Sequence, residues 1–473
     1  MKITRILLMV LMAFVLTGCG NVLNGYKEDI PVKPEETQVK NWTLMLYIAG
    51  DVEKDIAKLL QKELKSVLKV GSSSNVHIVA QIDYPGKDAK ADRFYVYKDK
   101  LATRGELKNS NMGDPNTLKS FLQWGMSYPA KKYALIIMGH GTGWISLAGP
   151  GSVLQPNSRS FAYSESDKDC ITLIEFKKVL DEVLGNKKID VAAFNSCLMN
   201  ETEVAYQMKD HFNYLIASET TMPGFGFDYP FFVKKLAVLD LSPEELAKNI
   251  YLSAPNEYQN MKSRAKKLHK KISQLEDELS WAWNDDMSDE DQIRWELRDT
   301  KAEAKILDAL EYQVGLVNLT HIDELGNSLK NFVENFKTVQ KNDDIFAKNL
   351  VISSRNKSKT FGELFKAVYN SIGINPSDPN EYIDLNEFML EMYDRTVGTD
   401  RNNISIAAKD VIENIYKVVM DSWYSSKAVK YSKISIYYPP VKAFYESKTK
   451  ALYTKLDFTK DTGWSDFIDS TIQ

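Results

Sequence analysis

Cysteine is scarce in this chain, at three residues, and histidine is little commoner, at five. So few cysteines exclude a scaffold stapled by disulfides. No spacing among His, Cys, Asp and Glu resembles a zinc site, and no glycine loop is placed to cradle a nucleotide. An excess of positive charge is missing too: 60 Lys and Arg face 64 Asp and Glu, a formal net charge of −4, with no basic patch. That balance excludes nucleic acid as a partner. Beyond the N-terminus no apolar run approaches the length, about 18 residues, of a membrane-crossing helix.

What is present is a globular composition, 44% hydrophobic and 26% charged, over a length that suits two or three domains. The N-terminus stands apart. Two positive charges in MKITR precede the apolar run Ile6–Leu16, which has the length of a signal peptide. The stretch LTGC, Leu16–Cys19, then closes the run with small residues before a cysteine. It resembles a bacterial lipoprotein signal, with residues 1–18 removed and Cys19 lipidated. An ordinary secretory signal with an incidental cysteine is the plainer alternative. The expected location is the bacterial cell envelope, anchored by lipid outside the cytoplasm, in the periplasm or at the cell surface. Residues 19–40 are polar with two prolines and read as a flexible tether. Cys170 and Cys197 remain, as a disulfide pair or as thiols, and an exported thiol needs a reason such as catalysis.

Through residues 41–255 strand-like segments alternate with segments of helical periodicity, several strands being apolar along their whole length. The pattern predicts an α/β fold, a mainly parallel sheet with helices on both faces. Residues 256–311 differ. Met261, Ala265, Leu268, Ile272, Leu275 and Leu279 step as a heptad stripe, NDDMSDED interrupts it, and Ile293, Leu297, Ala304 and Leu307 resume it. This predicts an inserted antiparallel helical hairpin, either a plain spacer or an arm that contacts a partner or substrate. Residues 312–473 read as a mixed α/β region that completes the fold.

Ligands of parallel sheets bind beyond the carboxyl ends of the strands. His140 follows the strand YALIIMG and Cys197 follows IDVAAFNS, so two reactive residue types arrive at one edge. His140 also lies between glycines, poor ground for a core histidine, and Gly141 permits a sharp turn with an exposed N–H. A cysteine peptidase needs a thiolate, an imidazole beside it and backbone donors for an oxyanion. A histidine about 50 residues upstream of the cysteine is one known arrangement of that kind. The alternative is a buried cysteine that merely fills the core.

The blocks YPAKKYALIIMGHGTGW, DVAAFNSCLMNETEVAYQ and YLIASETTMPGFGFDY resemble the clostripain family of cysteine peptidases, which have a caspase-like fold. MGDPNTLKSFLQW upstream and YIDLNEF, ISIYYP and TGWSDFI downstream are also similar to it, so the likeness runs from Trp42 to the C-terminus. It implies His140 as general base, Cys197 as nucleophile, and the N–H groups of Gly141 and Cys197 as the oxyanion hole. It implies peptide or protein substrates and no required cofactor. Some members depend on calcium, which nothing in this sequence indicates.

Two departures from the family pattern bear on function. Basic-specific members carry an aspartate two residues before the nucleophile, where this chain has Asn195, and acids in the segment matching TMPGFG, where it has Thr221 and Phe225. Glu219 and Asp228 are the acids that could substitute; without them a neutral P1 residue is expected. The hairpin is the other departure. The loop Ser146–Cys170 is the expected processing segment, with Arg159 and Lys168 as its basic residues. A surface binding protein that keeps the fold but has lost turnover is the competing reading.

Overall fold

The computed structural model describes residues 22–472, apart from 87–89, 109, 146–159, 225, 282–286, 309–312, 363, 365–369, 371–375 and 426–432. Its strands are β1 (Lys27–Glu28), β2 (Lys40–Ile48), β3 (Val76–Ile82), β4 (Ala91–Tyr97), β5 (Lys100–Leu107), β6 (Ala130–Met138), β7 (Phe161–Ser164), β8 (Asp169–Ile171), β9 (Ile189–Asn195), β10 (Phe212–Ala217), β11 (Gln313–Asn318), β12 (Thr360–Phe361), β13 (Tyr382–Asp384), β14 (Val419–Tyr424) and β15 (Ser435–Tyr437). One ten-stranded sheet runs in the order β1-β5-β4-β3-β2-β6-β9-β10-β11-β14. Its five central strands, β3-β2-β6-β9-β10, are parallel. Antiparallel strands extend both flanks, β4 and β5 on one side, β11 and β14 on the other. The α/β architecture read from the alternation is thus the one found.

The central strands are apolar because both of their faces are covered. Along β9, Ala192 and Phe194 enter one core while Val191 and Ala193 enter the other, as the two-residue alternation of strand side chains requires. One face carries α1 (Lys54–Leu68). The other carries α2 (Pro115–Met126), α3 (Leu173–Leu184) and α4 (Thr202–Met208). Local chemistry starts these helices. Asp114 caps α2 at the N–H of Asn116, 2.8 Å, with Pro115 in the first turn; Thr172 and Glu175 form a reciprocal capping box on α3. On the α1 face lie α5 (Tyr229–Leu236) and the first part of α6 (Pro243–Trp281).

Helix α6 leaves the sheet near Pro255 and pairs with α7 (Met287–Asp308) as the expected hairpin. Met261, Ala265, Leu275, Leu297, Ala304 and Leu307 are buried along its seam. The ion pairs Arg264–Glu303, Lys271–Glu296, Lys301–Glu276 and His269–Asp308 bridge its arms. The arm is longer than its apolar stripe indicated, since α6 is continuous with the core helix from Pro243. The C-terminal region packs α8 (Ile322–Asn342) onto the α2 face and adds a small sheet, β12-β13-β15.

The stretch read as a tether is different from Val22 onward. Leu23 is fully buried, β1 pairs with β5, and the carboxylate of Glu36 meets the Arg104 guanidinium and takes the Tyr97 hydroxyl at 2.7 Å. A buried ion pair with a second hydrogen bond holds this polar segment on the sheet.

Candidate active site

Strands β6 and β9 are neighbours, and their register pairs Met138 with Asn195. The N–H of Gly139 donates to the Asn195 carbonyl at 3.2 Å, so the two strands end level. His140 and Cys197 each follow two residues later. Gly141 lets the loops touch: a Cβ there would stand 2.5 Å from the Cys197 carbonyl oxygen and 3.2 Å from its nitrogen. No side chain fits that gap. Among the described residues the Gly141 N–H has no acceptor.

The turn that carries Cys197 is tightly held. Leu198, immediately after it, has φ of +60°, an uncommon conformation for a residue with a branched side chain. The N–H groups of Leu198 and Asn200 donate to the carbonyls of Thr220 and Ser218, at 3.0 and 2.9 Å. The segment after β10 is thereby laid along the turn, and the Met222 N–H points at the Cys197 sulfur, 3.1 Å away. The Met222 carbonyl oxygen lies 3.8 Å from the same sulfur, so one residue of this segment frames the thiol with both its donor and its acceptor. Cys197 is half-buried, whereas Cys170, in β8, is buried; both are thiols.

Two glutamates support the histidine loop, and neither stood out in the sequence. Glu53, just before α1, faces His140 with Oε2 2.7 Å from Nε2. Glu201, four residues after Cys197, accepts the Trp144 N–H at 2.9 Å, and its carboxyl fills the space where a Gly143 side chain would lie. Glu203 accepts the Tyr453 hydroxyl at 2.6 Å and the Tyr437 N–H at 2.9 Å. Burial pushes both of these carboxyls up. The Tyr382 hydroxyl, from β13, donates to the Thr142 carbonyl at 2.8 Å. A glycine with φ of +75° at position 143 is the one sequence signal that this loop must turn against something.

The remaining expected site residues are distributed unevenly. Asn195 is buried beneath Gly226 and lies 3.4 Å from the Tyr229 hydroxyl, on the α1 face of the sheet. Thr221 is exposed on the same segment, and Phe225 lies outside the described residues. Glu219 is fully buried and receives the Tyr424 hydroxyl of β14. Asp228 caps α5 at the Phe231 N–H, 3.1 Å, and accepts the Asn256 amide at the root of the hairpin, 2.5 Å. Both acids proposed for the pocket are therefore engaged in the scaffold. Lys168 stands in the tight turn between β7 and β8, paired with Glu165 at 2.6 Å. Arg159 and Cys19 lie outside the described residues. Among the described residues no three His, Cys, Asp or Glu converge as a metal site.

The sequence matches the clostripain family over residues 46–470. Clostripain from Hathewaya histolytica is 27% identical over 242 residues, which span 44% of this chain and 44% of that protein. Two solved structures superpose with a TM-score of 0.56. One is a secreted C11 cysteine protease from Bacteroides thetaiotaomicron in complex with an irreversible peptide inhibitor, 16% identical, covering 90% of this chain and 99% of its own. The other is an inactive zymogen C11 protease from Parabacteroides distasonis, 15% identical with the same coverage. These likenesses extend to the fold of nearly the whole chain.

Proposed function

This chain belongs to the clostripain family, and from that premise we propose that it is a cysteine endopeptidase with Cys197 as nucleophile and His140 as its base. The observation that supports this most is the contact of Gly141 with the Cys197 backbone, which sets a histidine loop against a thiol at one sheet edge. His140 takes the thiol proton, and the sulfur attacks the scissile carbonyl carbon to form a C–S bond. The oxyanion is held by the N–H groups of Gly141 and Cys197. The C–N bond then breaks as the imidazolium protonates the leaving amine. Water attacks the thioester with His140 accepting its proton, the C–S bond breaks, and acid and thiol are released.

The P1 pocket is read as neutral. Asn195 carries no charge, and Glu219 and Asp228 are committed to Tyr424 and to the start of α5. Glu63, buried on α1 beside Tyr229, is held well above the usual carboxylate range by burial, with Glu257 and Asp228 adding to the effect. The protein is further read as anchored outside the cytoplasm through lipidated Cys19. No described helix is long and apolar enough to cross a membrane. Processing at Arg159 or Lys168 is assigned mainly to another protease, and the hairpin is read as a structural spacer or as an arm that contacts a substrate or partner. A peptide library with varied P1 tests the core reading: turnover of neutral P1 peptides, lost in Cys197→Ala, is expected. Turnover that persists in Cys197→Ala would overturn the nucleophile assignment.

A further inference from the structure

The bond between Glu53 and His140 carries a consequence for the chemistry, and we infer that Glu53 is a positioning residue that fixes the tautomer of the catalytic imidazole. The inference rests on the Cys197–His140 reading above. An ionised carboxylate can only accept, so the 2.7 Å contact requires the proton on Nε2. That leaves Nδ1 as the ring nitrogen able to take the thiol proton. A histidine with the opposite tautomer would present a donor to the sulfur and could not act as base. When the proton arrives on Nδ1, the imidazolium that forms lies against a carboxylate, which stabilises the charge pair with the thiolate.

The scaffold places Glu53 firmly enough for this role. Strand β2 lies beside β6 with Ile48 paired to Met138, so the loop Ala49–Glu53 leaves the sheet next to the histidine loop. The Asp83 carboxylate accepts the N–H groups of Gly50 and Asp51. The Asp51 side chain in turn holds the β7–β8 turn, accepting the Ser164 hydroxyl at 2.9 Å and the Ser166 N–H at 2.8 Å. The Glu53 carbonyl accepts the Ala57 N–H at 2.9 Å and so begins α1. Glu53 is held from both sides, yet its side chain is 42% exposed while that of His140 is 14% exposed. Water reaches the Glu53 carboxylate, so no full burial opposes its negative charge. It is also poorly placed to be a fold-determining contact, because partly exposed polar pairs stabilise little, even when both partners are charged.

The test compares wild type, Glu53→Gln and Glu53→Ala in two assays. Gln keeps an acceptor for Nε2 without the charge; Ala removes both. The expected kcat on a peptide substrate falls roughly 10- to 100-fold in Glu53→Ala and less in Glu53→Gln, with KM within about two-fold. The limb of the pH profile that reports His140 moves to lower pH in both variants, since a nearby carboxylate favours the imidazolium. The second assay needs no turnover: the rate of Cys197 alkylation by iodoacetamide against pH, which shows the same displacement of the histidine-linked limb. Unchanged kcat and unchanged alkylation profiles in Glu53→Ala would overturn the inference, as would a rise in KM alone. Wild type that hydrolyses no peptide but shows the displaced alkylation profile would fault the peptidase reading and leave this one standing.

Discussion

A methyl group on Gly143 would overlap the carboxyl of Glu201, and the residue already occupies a left-handed conformation. Gly143→Ala therefore moves either the histidine loop or the helix start behind Cys197, and strains the backbone besides. Peptide turnover is expected to drop more than about ten-fold with the fold retained by circular dichroism; wild-type turnover would show that the contact does not hold the loop. The contrast between thiols belongs to the same scale. Cys197→Ala is expected to abolish peptide turnover and Cys170→Ala to preserve it, because one thiol stands at a strand end and the other is packed in the β7–β8 hairpin. That His140 and Cys197 follow neighbouring strands at one sheet edge was legible in the sequence, because each comes directly after an apolar run of strand length. Glu53 and Glu201 were not, since glutamate is common and only the loop path reveals its partner. Glu219 and Asp228 were legible as acids, yet the bond of Glu219 to Tyr424 depends on a strand far along the chain, whereas Asp228 caps the helix that directly follows it.

At the scale of elements, the parallel core was read directly from apolar runs that a two-sided burial demands. Strand β5 was not, because Lys100, Arg104 and Glu106 dilute its apolar content and only Leu101 and Ala102 are buried. The packed N-terminal segment escaped for the same reason: Glu36 is buried only because Arg104 meets it. The hairpin was legible as a heptad stripe, and its relation to the site was not. Asn256 and Asn260 at its root both donate to Asp228, on the segment that continues toward Asn195. Among the described residues the distal arm is held by a narrow seam and by exposed ion pairs of small individual value. Joining Leu268 to Ala304 with a short Gly-Ser linker is thus expected to leave turnover of short peptides within about two-fold of wild type. Asn256→Ala, at the root, is expected to raise KM for the same peptides. Loss of short-peptide turnover in the shortened protein would place the distal arm in the site itself.

Over the whole molecule, a buried histidine and a pair of buried glutamates pull stability in opposite directions with pH. His77 in β3 is fully buried, with Nδ1 3.0 Å from the Tyr95 hydroxyl and Nε2 2.8 Å from the Gln38 carbonyl. Burial pulls its pKa down from 6.5 to about 4. The unfolded chain therefore binds this proton first as pH falls, and stability is lost between pH 6.5 and 4, by up to about 3 kcal/mol. Glu201 and Glu203 behave oppositely, since burial raises both above the ordinary 4.5. The folded chain keeps their protons when the unfolded chain has released them, so stability is lost as pH rises from 4.5 toward neutrality and beyond. The Tyr453 hydroxyl and the Tyr437 N–H, both bonded to Glu203, limit that loss by favouring its ionised form. Urea midpoints measured from pH 4 to 8 are expected to fall on the acid side, and His77→Gln is expected to flatten that acid limb without touching the alkaline one. Glu203→Gln should do the reverse, because it removes the titration while keeping an acceptor for the two donors. An acid limb that stays as steep in His77→Gln as in wild type would assign the loss to carboxylates instead, whose protonation breaks pairs such as Glu36 with Arg104.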